Sequence, residues 1–513
     1  MKNNFLVLKN ASKASLKELP IHPIDTFRKI LLQATEKEGK HLSGFFATEE
    51  KSEDKCYLLT AILRDDESQK LLLAGAYTGP SYTSLAKDAP RYQWFEREIA
   101  EQYGIMPLGH PNLKEIRFHA PINGEESIWK DRKEKGPGVT DYFTLEGEEC
   151  HEVAVGPVHA GVIEPGHFRF QCMGEKVYSL EIELGYQHRG IEKMLMGGPD
   201  KKTLPVMETI AGDSTIAHTL AHCHLRETLG DLSVPARAEA LRVLALELER
   251  IANSVGDCGA LAGDVAFLPT AAYCGRIRGE YLNMTALLCG NRFGRNFLLP
   301  GGVKFDIGEE EIEKLKAWLG RIRPEIENAL ELLFDTPSVL DRFEGTGALT
   351  REMAEAIGLV GGPARACGVA SDIRRSHPFG YYKEHTPPAE SSHTGGDVLA
   401  RAQIRQQEIL AAEEFVAGLL GELPSGEIVA SGNPGEKAPL AASSIAVSLV
   451  EGWRGEILHC AITDDAGKIR RYKVVDPSFH NWWGLALALR NEEISHFPIC
   501  NKSFNLSYCG HDL

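Results

Sequence analysis

The chain has 513 residues, 43% of them hydrophobic and 25% charged, with a formal net charge of −16. That length sustains about two to four domains with sizeable cores. The acidic balance excludes a broad nucleic-acid footprint, which needs clustered Lys and Arg, and no stretch approaches the ~20 apolar residues that span a bilayer.

In chain order, residues 1 to about 120 read as a small α/β unit. CYLLTAILRDD (56–66) and KLLLAGAYTG (70–79) are expected strands, the second ending at a Gly-Pro turn. YQWFEREIAEQYGI (92–105) is an expected short helix with its charges on one face. NGEESIWKDRKEKGPG (123–138) is polar, charged and closed by Gly and Pro, which places an inter-domain linker at 121–147.

From residue 148 the character changes. HEVAVGPVHAGVIEPGHFRFQCMGEKVYSLEIEL alternates apolar residues with Gly-Pro turns and reads as a small sheet. The stretch beginning at Pro235 puts Leu241, Leu244, Leu248 and Ile251 on one helical stripe. Residues 309–334, bent at Pro324, and 396–420 read as further helices, and 443–475 returns to strands with a turn at DDAGK. The expected fold class is α+β. A small N-terminal α/β domain (1–120) precedes a large, mainly helical domain with a small β-sheet (148–513).

Eleven cysteines with no CxxC spacing argue against a disulfide framework. The same spacing argues against an iron–sulfur cluster or structural zinc held by this chain alone. The N-terminus lacks a signal-peptide pattern. The segment FPICNKSFNLSYCGHDL is too apolar to float and is expected in the core.

Four stretches carry candidate chemistry. GPVHAGVIEPGHFRF (156–170) holds His159, Glu164 and His167 among glycines and prolines; it is either a tight hairpin or a place where a Glu passes protons. YQHRGIEK (186–193) offers Arg189 and Lys193 to a carboxylate or to a neighbouring redox centre, or forms ordinary ion pairs. In AHTLAHCHLRE (217–227), His218 and His222 stand four apart on one helical face, which is metal-ligand spacing. Thr219, however, replaces the Glu of the H-E-x-x-H pattern. The fourth stretch is ETIAGDSTIAHTLAH (208–222).

Taken together, GPVHAGVIEPGHFRF, HRGIEK and GPARACGVASDIRRSHPFGYY (362–382) resemble the large subunit of membrane-bound, energy-converting (group 4) nickel–iron hydrogenases and of formate hydrogenlyase. That family shares ancestry with the 49 kDa subunit of respiratory complex I. WFEREIAEQYGIMPLGHPNL (94–113) resembles the complex I 30 kDa subunit, here fused at the N-terminus. Active hydrogenases of the family hold nickel and iron with two CxxC pairs. The first pair aligns with Ala211 and Ser214, in a segment where Glu208, Ile210, Gly212 and His218 fit the pattern. The second aligns with Ser507 and Gly510. A soft metal pair wants thiolates, and Ser, Ala and Gly supply none.

The resemblance therefore implies a subunit of a complex I-like or hydrogenase-related oxidoreductase complex that couples electron transfer to ion translocation without a nickel–iron centre. It implies proton transfer at Glu164, Asp213 and His218, and contacts to a cluster or acceptor from Arg189, His159, Ser214 and Ser507. No metal ligand and no cofactor bound by the chain itself are expected. The emptied metal pocket, lined by Ala211, Asp213, Ser214, His218 and the C-terminal tail, would receive a quinone-like acceptor. Implied partners are an iron–sulfur small subunit related to the complex I 20 kDa subunit and carrying a 4Fe–4S cluster, a ferredoxin-like subunit, and antiporter-like and anchor membrane subunits. The implied location is peripheral, on the cytoplasmic face of the cell membrane. Two alternatives stand beside this: a non-catalytic scaffold with the pocket packed shut, and a zinc-type metalloenzyme using His218 and His222.

Overall fold

The computed structural model describes residues 4–50, 56–124, 127–131, 136–138, 141–161, 163–431 and 439–513; parts of the expected linker (125–126, 132–135, 139–140) and Val162 of the glycine-rich motif lie outside the described residues. The fold mixes several small sheets with long helices. Near the N-terminus, strands His41–Glu49, Tyr57–Asp65 and Lys70–Thr78 pair antiparallel in sequence order, and Leu6–Leu8 closes the far edge. Tyr57–Arg64 is buried without alternation. A strand apolar on both sides needs cover on both sides, and helices Ile24–Glu36 and Gln93–Tyr103 pack on this sheet.

The Gln93–Tyr103 helix departs from the amphipathic reading. Glu96, Arg97, Glu98 and Glu101 are all buried. The reason is that each acid has partners waiting. Glu101 accepts the backbone N–H groups of Ile116 and Phe118, Glu96 accepts those of Leu85 and Ala86, and Glu98 Oε1 takes the Lys473 ammonium at 2.7 Å. Lys473 belongs to a strand of the C-terminal half, so these charges face the rest of the chain and not water.

Beyond the linker, Cys150–Val155, His167–Met173 and Lys176–Glu183 form a three-stranded antiparallel sheet. The Ala236–Asp264 helix starts directly after Pro235 and buries Leu241, Leu244, Leu248 and Ile251. It packs between Leu268–Cys289 and Val398–Gly421. Glu309–Phe334 runs through Pro324 and lies against Leu268–Cys289. A second C-terminal sheet is made of Ser444–Gly452, Gly455–Thr463 and Ile469–Val475. Its outer edge is filled by Ser12–Ser15, with Ser12 opposite Val447. The chain's first strands thus serve both halves.

The GPARACGVASDIRRSHPFGYY segment supplies a buried ion-pair network. Arg365 bridges Glu408 (3.0 Å) and Glu451 (2.9 Å), and Arg374 bridges Glu247 (2.9 Å) and Asp372 (2.7 Å). Such networks are costly to break from one side, because the remaining charge is left buried and unpaired. The C-terminal segment folds as helices Phe497–Phe504 and Tyr508–Asp512 and is largely buried. No helix among the described residues is long and apolar enough to cross a membrane.

Candidate functional site

The Thr215–Gly230 helix brings the first half of the site together. Ser214 is its N-cap residue, and Glu249 reaches across from the Ala236–Asp264 helix to accept the free N–H groups of Ile216 (2.7 Å) and Ala217 (3.2 Å). A carboxylate at a helix N-terminus is favoured by the dipole. Burial nevertheless dominates and pushes the Glu249 carboxyl up to about 8, so it carries a proton near neutrality.

The second half is the C-terminal helix, whose N-cap Ser507 accepts from the Gly510 N–H at 2.9 Å. Arg189 fastens the two halves. Its guanidinium donates to the carbonyls of Thr209, Ile210 (3.0 Å) and Cys509 (2.9 Å). The segments that align with the two cysteine pairs are therefore neighbours in space.

Among the described residues the space between the four aligned positions is filled, while Asp213 and the C-terminal segment of the expected lining border open space to one side. Ala211, Ser214, Ser507 and Gly510 are buried. A Cβ added at Gly510 would meet Asp476 Oδ2 at 2.6 Å and Ser507 Oγ at 2.9 Å. The Asp476 carboxylate and the serine hydroxyl fill this volume. Nor does the donor set fit a nickel–iron group: none of the four positions offers sulfur. Cys509 alone stands nearby, and burial together with the neighbouring Glu164 pushes its thiol up to about 12, so it is not a ready thiolate.

His218 is also not exposed to a cavity. Its Nε2 lies 3.0 Å from Asp476 Oδ2 and its Nδ1 lies 3.1 Å from His459 Nε2. The chain continues through the Tyr472 hydroxyl to His222 Nδ1, with contacts of 2.8 and 2.9 Å. Burial, then Arg226, lowers His222 to about 3. His218 uses both ring nitrogens in hydrogen bonds within the protein and so offers no lone pair to a metal, whereas His222 uses Nδ1 and keeps a buried Nε2 without a hydrogen bond.

Open space lies to one side. A cavity of about 660 Å³ is bounded by His159 and Glu164 from the loop before the His167–Met173 strand, by Asp213 and Arg454, and by Phe497, Lys502 and Tyr508 from the C-terminal segment. Of the expected site residues, His159, Glu164 and Asp213 line it, whereas Ser214, His218, Ser507 and Arg189 are not among its lining residues. Asp213 and Arg454 form a two-pronged ion pair with both contacts at 2.7 Å, the geometry that suits guanidinium to carboxylate. Glu164 accepts the backbone N–H groups of Tyr508 and Cys509, each at 3.3 Å. His159 Nε2 lies 3.1 Å from the Gly166 carbonyl, holding the loop closed. Burial raises the Tyr508 hydroxyl to about 12, so it stays a neutral donor.

Three residues escaped sequence reasoning: Arg454, Asp476 and Glu249. Arg454 sits in the tight Trp453-Arg454 turn between two strands, an unusual place for a cation that is only 5% exposed. Asp476 precedes Pro477 as a helix N-cap, a local signal that reads as structure. Glu249 is one of several acids on a long helix and carries no signal of its own.

Comparison with known proteins places these observations. Residues 264–512 match the family model of the respiratory-chain NADH dehydrogenase 49 kDa subunit, and residues 23–131 match that of the 30 kDa subunit. Formate hydrogenlyase subunit 5 of Escherichia coli (strain K12) is 28% identical over 491 residues, 92% of this chain and 84% of that protein. An NADH-quinone oxidoreductase subunit of Bacillus mycoides (strain KBAB4) is 30% identical over 344 residues, 67% of this chain and 93% of that protein. Among solved structures, a chain of the membrane-bound sulfane sulfur reductase, an archaeal respiratory membrane complex, matches with a TM-score of 0.66 at 23% identity. The match covers 71% of this chain and 99% of that one and is a likeness of fold.

Proposed function

The chain belongs to the family of the 49 kDa subunit of respiratory-chain NADH dehydrogenase, with a 30 kDa-type unit on its N-terminal side, and from that premise we propose a role for its cavity. Within a membrane-associated, complex I-like oxidoreductase complex, a quinone-like acceptor sits in the Glu164–Asp213–Arg454 cavity. Electrons reach it from a 4Fe–4S cluster in an iron–sulfur small subunit. What supports the reading is that the space adjoins the segments that align with the two cysteine pairs of the hydrogenases. It is lined by a carboxylate, an ion pair and a neutral phenol, not by sulfur.

Reduction of a quinone takes up protons as well as electrons. Glu164 opens onto the cavity, and Asp213 faces it with the proton-bearing Glu249 close behind. Arg454 supplies fixed positive charge where an acceptor becomes anionic. Docking to a ferredoxin-like subunit and to antiporter-like and anchor membrane subunits, on the cytoplasmic face, completes the reading; the chain itself offers no described membrane-spanning helix. A photoreactive quinone-headgroup analogue added to the purified complex should label residues 155–164 and 494–508. Labelling confined to other subunits would leave the chain a mechanical coupler.

A further inference from the structure

We propose that His41, Glu456 and His480 form a zinc site that ties the N-terminal sheet to the C-terminal half of the chain. His41 opens the His41–Glu49 strand, Glu456 stands near the start of the Gly455–Thr463 strand, and His480 lies in the first turns of the Pro477–Ala488 helix. One ligand atom from each lies within 4.8 Å of the other two, and His41 Nε2 is 3.9 Å from Glu456 Oε2. Ligand atoms about 2.1 Å from a tetrahedral zinc sit about 3.4 Å apart, so small side-chain movements close the set on an ion.

A second observation points the same way. His41 Nε2, His480 Nε2 and both Glu456 oxygens are buried without a hydrogen bond. Glu456 is 1% exposed and His480 8%. Buried polar atoms are ordinarily satisfied, and here His41 Nε2, His480 Nε2 and Glu456 Oε1, from three distant segments, converge with no hydrogen bond, while Glu456 Oε2 has the Arg64 guanidinium beside it. Arg64 lies 2.8 Å from Glu456 Oε2 as an ion pair and is itself balanced by Asp66, so it steadies the carboxylate from outside. Two imidazoles and one carboxylate are a borderline donor set that suits zinc, with water as fourth ligand entering where the His41 side chain keeps 13% exposure. Cysteine spacing could not reveal this site, because no cysteine takes part.

The test is metal analysis of the full chain in its complex, equilibrated with zinc and then desalted. The parent should retain about one zinc per chain, and His41→Gln and Glu456→Gln should retain none. His41→Gln alters a partly exposed side chain, and Glu456→Gln preserves shape. Cobalt(II) in the stripped parent should give the visible bands of a tetrahedral site, absent from both variants. Zinc should raise the thermal transition of the stripped parent and leave the variants unmoved. Equal zinc in parent and variants, or none retained by a folded parent, would overturn the proposal.

Discussion

Placing thiolates at the four aligned positions should not create a nickel–iron site. The informative substitution is at Gly510. A side chain there places its Cβ 2.6 Å from Asp476 Oδ2 and 2.7 Å from Asp476 Cγ, closer than carbon and oxygen can approach. The carboxylate must move, and it is held by His218 Nε2 (3.0 Å) and by the Ser478 N–H (2.8 Å). Losing one hydrogen bond to a charged group costs about 1.5–3 kcal/mol. Gly510→Ala alone should therefore destabilise the chain by roughly 2–3 kcal/mol, read as a lower denaturation midpoint. The fourfold variant A211C/S214C/S507C/G510C should bind nickel far below stoichiometry on metal analysis, because Asp476 occupies the space that a bridging pair needs. Parent-like stability of Gly510→Ala, or one nickel per chain in the fourfold variant, would refute the argument from packing.

Other outcomes follow from the same geometry. Asp213→Asn keeps the shape of the Arg454 pair and removes its charge, so turnover of the complex should fall by about 10²-fold while gel filtration shows it intact; unchanged turnover would remove the cavity from the reaction. Arg189→Ala releases three backbone carbonyls, and hydrogen exchange at 508–513 should quicken by an amount worth about 1–2 kcal/mol, an effect that exchange at the parent's rate would contradict. Acid should act through His222, which burial keeps at about 3 against about 6.5 in the unfolded chain. Between those values only the unfolded state takes the proton, so stability falls with falling pH by about 1.4 kcal/mol per unit. From about 4.5 to 7 the loss is offset by Glu96 and Glu101, which burial raises to about 7 and which bind protons preferentially when folded. His222→Gln should flatten the stability profile below about pH 4.5; superimposable profiles would sink this assignment.

Much of the architecture was legible. The Pro235 start, the Leu241–Ile251 stripe and the alternation in 443–475 led to a helix and to strands at those places, because periodicity reports which face is buried. The charges of Gln93–Tyr103 misled because their partners, Lys473 among them, lie far away in sequence. The site divided in the same way. His159, Glu164 and Asp213 were visible as motif residues, and they do line one cavity. The location of the open space was not visible. It depends on Asp476 and Ser507 filling one volume while Arg454 draws Asp213 toward another, and no local pattern encodes which of two adjoining volumes stays open.

The short strand Ser12–Ser15, laid beside Ser444–Val447, bears on how such a protein is made. A ribosome delivers this segment long before its sheet partner. The edge cannot be sealed until Ser444–Val447 has emerged, and pairings so distant along the chain form slowly. Cells would need to shield that waiting edge during synthesis. A split gene encoding the two units separately would face an association problem that the fused polypeptide solves by tethering.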